Sequence, residues 1–80
     1  MSDPREPVTI QQAAQRLDKP ERRVRTWASR YHARRCPKLG KTAYYDWHDL
    51  KTIARQIYLG EPVPATPEGR DEIRATFRAA

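Results

Sequence analysis

Eighty residues are enough for one small domain, with a core of about a dozen side chains. The lone cysteine, Cys36, excludes an intramolecular disulfide, and the lack of any long apolar run excludes a signal peptide or a membrane span, so a cytoplasmic, nucleoid-associated location is expected. The formal net charge of +6 then asks for an anionic partner or another explanation.

Residues 1–7 are a polar lead with two prolines and read as flexible. A first helix starts at Thr9, because Thr9 followed three residues later by Gln12 is a capping-box pattern. Ile10, Ala13, Ala14 and Leu17 then recur at i, i+3, i+4 and i+7 as one apolar stripe. Asp18-Lys19-Pro20 ends it, since proline disfavours helical geometry in the residue before it. A second helix follows, with Glu21 in its first turn and Val24, Trp27, Ala28 and Tyr31 on its inner face. At 100° per residue, Arg22, Thr26 and Ser29 point away from that face, with Arg25 and Arg30 on its flanks. Trp27 belongs to the inner stripe, which assigns it to the core and not to stacking on a base.

Gly40, flanked by Lys38 and Lys41, separates two extended pieces and predicts a hairpin. By alternation Ala43 and Tyr45 face the core, while Thr42 and Tyr44 face out; Tyr44 there either touches a ligand backbone or covers the strand. Asp46 begins another helix, with Asp49 in its first turn, a stripe of Trp47, Leu50, Ile53, Ala54 and Ile57, and Gly60 as its C-terminal stop. Residues 61–65 form a proline-rich link. Residues 66–80 form a helical tail, started by Thr66-Pro67-Glu68 and edged by Ile73 and Phe77, which need a partner in this domain or another chain.

The charge is concentrated. Residues 21–41 hold eight positive side chains against Glu21 alone, a net of +7, and the rest of the chain is close to neutral. A charge kept for solubility would be spread out, and a solvated helix face would alternate in sign. A one-signed block suits a polyanion. The second helix therefore supplies Arg22, Arg23, Arg25, Thr26, Ser29 and Arg30 as major-groove candidates, and the hairpin supplies Arg34, Arg35, Lys38, Lys41 and Tyr44. Arg22, Thr26 and Ser29 suit base edges, and Arg23, Arg25 and Arg30 suit phosphates.

Metal binding and catalysis are not expected. His32, Cys36 and His48 lack the paired short spacings of a structural zinc site. Asp46, His48 and Asp49 have an ordinary explanation as a helix start, and no cofactor motif is present.

Two short helices around a tight turn, the second basic, describe a helix-turn-helix. Ala14-x-x-Leu17 followed by Val24-x-x-Trp27, then the hairpin and the run from Tyr45 to Leu50, resembles the winged helix-turn-helix of the MerR-like superfamily. Phage excisionases, which are recombination directionality factors, are the nearest members. The departure is in the turn, where Asp18, Lys19 and Pro20 replace the usual glycine, apolar residue and capping hydroxyl. The resemblance spans about residues 8–60 and implies a mainly α fold with a small β-hairpin wing, followed by the short C-terminal helix. It also implies cooperative binding and bending of double-stranded DNA by neighbouring copies, in concert with an integrase. The alternative is a small stand-alone MerR-like transcriptional regulator. A third reading, from a different class, is a phage adaptor that binds a host protein through Ile73 and Phe77.

Overall fold

A computed structural model describes residues 6–38 and 40–79, with side chains up to residue 76. The described chain is mainly helical, with a small antiparallel sheet. The elements run β1 (Pro7–Val8), α1 (Ile10–Leu17), α2 (Glu21–Arg30), β2 (Tyr45–Asp46), α3 (Trp47–Leu59) and α4 (Pro67–Ala79).

Local chemistry sets most boundaries. The Thr9 hydroxyl accepts from the Gln12 amide at 3.1 Å, and the Gln12 side chain accepts from the Thr9 amide at 3.0 Å. Asp18 closes α1 in the left-handed conformation, with φ 55°, and its amide donates back to the Ala14 and Gln15 carbonyls. Short polar residues such as aspartate tolerate that region better than most, which lets Asp18 stand where a glycine is common. Pro20 precedes α2 without a side-chain cap. Asp46 caps α3 by accepting from the His48 amide at 3.2 Å, and Gly60 ends it at φ 71°. The Thr66 hydroxyl caps α4 through the Gly69 amide at 3.1 Å.

The core gathers Val8, Ala13, Ala14, Val24, Trp27, Ala28, Ala33, Leu50 and Ile53 from the first three helices and their connections. Ile10, Leu17, Tyr31, Tyr45, Trp47, Ala54 and Val63 pack around it as half-buried neighbours. Ile57 departs from the predicted stripe: 37% of its surface stays exposed, because the last turn of α3 faces an open groove.

The strands are arranged around Tyr45. On one side β2 pairs with β1, Val8 opposite Tyr45 and Pro7 opposite Asp46. On the other, Arg35 bridges Tyr45 antiparallel, the Cys36 amide donates to the Tyr44 carbonyl at 3.0 Å, and the Asp46 amide donates to the Arg34 carbonyl at 2.9 Å. The register of these pairs is centred on Gly40, whose φ is 61°. Residues 1–5 of the expected lead, and Leu39, lie outside the described residues. Glu6 and Pro7 are held instead of trailing: the Glu6 carbonyl accepts from the Trp47 amide at 2.8 Å, and its carboxylate meets Arg16 at 3.0 Å.

α4 is anchored rather than appended. Arg70 projects from it into the domain and is fully buried. Its Nε and Nη2 meet the two oxygens of buried Asp49 at 2.6 and 2.7 Å. Nη1 donates to the Tyr31 and Pro64 carbonyls at 2.8 Å each, and Nη2 also donates to the His32 carbonyl at 3.2 Å. Asp49 accepts a further bond at 2.7 Å from the Arg34 amide. One guanidinium thus ties α4 to α3 and to the segment leaving α2.

Candidate nucleic-acid interface

The outer face of α2 follows from its sequence periodicity. Val24, Trp27 and Ala28 are buried, so the residues between them must point to solvent. Arg22, Arg23, Arg25, Thr26, Ser29 and Arg30 are all exposed. Among the described residues, Arg22, Arg23 and Arg30 have no ion-pair partner. Arg25 faces Glu21 at 3.9 Å, with both side chains more than half exposed; pairs of this kind contribute at most about 0.5 kcal/mol and yield easily to a competing anion. The Thr26 hydroxyl donates to the Arg22 carbonyl at 2.9 Å, which leaves its oxygen free to accept. Pro20, Arg22, Arg23, Thr26, Trp27 and Arg30 line a shallow groove of about 310 Å³ on this face. Trp27 contributes little surface to it, since that residue is 9% exposed.

The hairpin candidates divide. Lys38 and Lys41 are exposed on either side of the Gly40 turn. Arg35 is exposed and lies over the Tyr45 ring, 5.5 Å from its centroid. Tyr44 is half-buried. Ala43 is exposed, contrary to the alternation, because the paired stretch reaches only to Tyr44 and the turn covers residue 43 on neither side.

Arg34 is committed elsewhere. Its Nη1 and Nη2 grip the Asp71 carboxylate at 3.2 and 2.7 Å, a bidentate pair that leaves the Arg34 side chain 19% exposed. Arg74 also reaches Asp71 and donates to the Thr52 hydroxyl at 3.0 Å. Burial pushes the Asp71 carboxyl up, but the hydrogen bond and charge of Arg34, with the charges of Arg74 and Arg70, more than reverse this and hold it below its usual value. The hydrogen bond that Arg34 donates to Asp71 in turn raises the pKa of Arg34.

Sequence reasoning missed the pairs Asp49–Arg70 and Asp71–Arg34. A signal was present: Arg70, Ile73 and Arg74 fall at i, i+3 and i+4 on one face of α4, and Ile73 is half-buried there. Reading only the apolar member of that face hid the two arginines. The side chain of Phe77 lies outside the described residues. Among the described residues no three His, Cys, Asp or Glu side chains come together to hold a metal ion. Nor, among the described residues, is any helix long and apolar enough to cross a membrane.

No protein-family model matches the chain, and neither a curated protein nor a solved structure is significantly similar to it.

Proposed function

We propose that this chain is a sequence-specific binder of double-stranded DNA with a winged helix-turn-helix, in which α2 enters the major groove. The observation that carries the reading is the sorting of the arginines. Arg16, Arg34, Arg70 and Arg74 are tied to carboxylates, whereas Arg22, Arg23 and Arg30 stand exposed along one helix face with no such partner among the described residues. Positive charge left unneutralised on a rigid helix is what a phosphate backbone rewards.

In this reading Arg22, Thr26 and Ser29 address base edges, and arginine on guanine is the commonest such contact. Arg23, Arg25 and Arg30 hold phosphates and fix the register. Lys38, Lys41 and Arg35 approach the neighbouring minor groove or its backbone, and Arg34 drops out of the contact set. The carboxylates of Asp46 and Asp49 are taken up by a helix cap and an ion pair, which supports a binding protein over an enzyme.

The test is a titration of duplex DNA against salt. Affinity should fall with a log-log slope of about −0.9 for each phosphate neutralised, and Arg30→Ala should flatten that slope. A salt-independent affinity, or one unchanged by charge removal on α2, would overturn the reading.

The narrower role is that of an excisionase that bends attachment-site DNA as an array of copies and directs an integrase toward excision. Its support is the resemblance carried by Ala14-x-x-Leu17, Val24-x-x-Trp27 and the run after the hairpin. Circular-permutation gel shifts and an excision assay with a matching integrase measure it. Straight DNA under a saturated array, or excision equally efficient without the protein, assigns a simple regulator instead.

A further inference from the structure

A second groove, of about 380 Å³, opens between the end of α1, the inner edge of α2 and the last two turns of α3. Leu17, Trp27, Ala54 and Ile57 give it an apolar lining, with the exposed Tyr58 beside them. Its rim is basic: Lys19, Arg23, Lys51 and Arg55 surround it, and among the described residues no carboxylate lines it. The exposed large apolar side chains among the described residues gather at the same end of α3, where Ile57, Tyr58 and Leu59 are 37%, 87% and 50% exposed. Exposed apolar residues scattered singly need no explanation, but three in succession beside a groove do.

From this juxtaposition we infer that the groove is a docking site for an acidic amphipathic helix of a partner protein. Its volume lies at the low end of the roughly 300–1,000 Å³ typical of ligand pockets, so it suits a few anchoring side chains and not a broad folded surface. Helix-in-groove recognition uses anchors at i, i+3, i+4 and i+7 on one face. The remaining face of such a helix would meet Lys19 and Lys51, which selects carboxylates by charge and speeds encounter. DNA fits less well, because a phosphate backbone gains nothing from a lining of tryptophan, isoleucine and tyrosine. A second copy fits less well too: a copy docking through the same basic rim would set positive charge against positive charge. The inference stands whether or not α2 reads DNA; the groove shares Arg23 with the proposed phosphate contacts, and the residues substituted in its test, Tyr58 and Lys51, lie outside them.

The probe is a fluorescein-labelled synthetic helix of about four turns, with leucine and phenylalanine at the four anchor positions and glutamate elsewhere. The control keeps the anchors and replaces glutamate with lysine. Fluorescence anisotropy with the full chain should show saturable binding of the acidic peptide and at least about tenfold weaker binding of the basic one. Tyr58→Ala and Lys51→Glu change exposed side chains and leave the fold in place, as circular dichroism would verify; each should weaken the acidic peptide about tenfold or more. Equal binding of the two peptides, or binding unmoved by both substitutions, overturns the inference. So does sedimentation showing concentration-dependent dimers that Tyr58→Ala abolishes, which gives the groove to a second copy. Loss of duplex affinity in Lys51→Glu as large as that in Arg22→Ala gives it to DNA and equally overturns the proposal.

Discussion

Replacing Arg70 by methionine should bring the domain close to unfolding. The guanidinium has five N–H donors, and all five are used, two on Asp49 and three on the carbonyls of Tyr31, His32 and Pro64. Asp49 is fully buried, so without Arg70 its carboxylate keeps the Arg34 amide and the edge of Arg74, whose nearest nitrogen is 3.8 Å away. Breaking a buried pair by removing one partner costs about 3–5 kcal/mol, because the remaining charge has lost both water and counterion. An eighty-residue domain at about 0.05–0.15 kcal/mol per residue has roughly 4–12 kcal/mol to lose. One substitution therefore removes about a quarter of the stability at the least and all of it at the most.

Urea denaturation followed by far-ultraviolet circular dichroism measures this. The double substitution Asp49→Leu/Arg70→Met separates the pair from the packing. It removes the stranded charge and should recover part of the loss, though the three carbonyls remain without their donor. Truncation after residue 64 removes the same guanidinium, so it should destabilise at least as much as Arg70→Met and should not yield a stable, freely folding helix-turn-helix. A loss below about 1 kcal/mol in Arg70→Met with an unchanged m-value, or a double variant no more stable than the worse single one, would refute the role given to this pair.

Three further outcomes are expected. Trp27→Ala should cost about 3–5 kcal/mol by denaturant unfolding, and a folded variant that merely binds DNA poorly would move the ring to the interface. Arg22→Ala should reduce discrimination between specific and random duplexes more than Arg25→Ala does, measured by competition gel shift; equal loss would mean that base and phosphate contacts are wrongly sorted. Asp71→Asn should destabilise the protein at neutral pH. Since the native carboxyl is held below its ordinary value of about 3.9, the contribution of Asp71 is present above that pH and fades as pH falls through the lower native value. Acid titrations of the wild type and the variant should therefore converge below about pH 4, and parallel curves would show that the Arg34–Asp71 pair adds nothing.

What was legible in the sequence was what is local. The Thr9–Gln12 box, the Asp46 and Thr66 caps and the Gly60 stop are each decided within about one helical turn, and periodicity alone buries Val24, Trp27 and Ala28. β1 was not legible, because two residues carry no alternation; Val8 is buried by pairing with Tyr45, far along the chain. The Ala43 assignment failed for a related reason: alternation holds only where a partner strand is present. Asp49 and Arg70 are separated by 21 positions, and Arg34 and Asp71 by 37, so periodicity could mark the inward face of α4 but not the partners its side chains meet. Asp49 had a sufficient local explanation as an early acid on a helix, and that explanation concealed a buried counterion.

The same pairs bear on how the proposed interface is positioned. The segment that leaves α2 passes through His32, a non-glycine residue at φ 51°, before it reaches the hairpin. Such a conformation persists only where the surroundings enforce it. Here the carbonyls of Tyr31 and His32 accept from Arg70, the Arg34 amide donates to Asp49, and the Arg34 side chain is clamped by Asp71. Every one of these restraints runs to α3 or α4. The angle between the arginine-bearing helix and the lysines of the hairpin is therefore set by carboxylates and guanidiniums carried on α3 and α4. The chain uses arginine in two ways, and the distribution of its acids decides which. Asp49 and Asp71 neutralise the arginines that hold the geometry, while α2 has Glu21 alone and leaves its arginines exposed. An acid added at Thr26 or Ser29 would neutralise that charge internally and weaken the proposed binding without unfolding the protein, whereas loss of Asp71 would loosen the hairpin and displace Arg35, Lys38 and Lys41 without changing any proposed contact residue chemically.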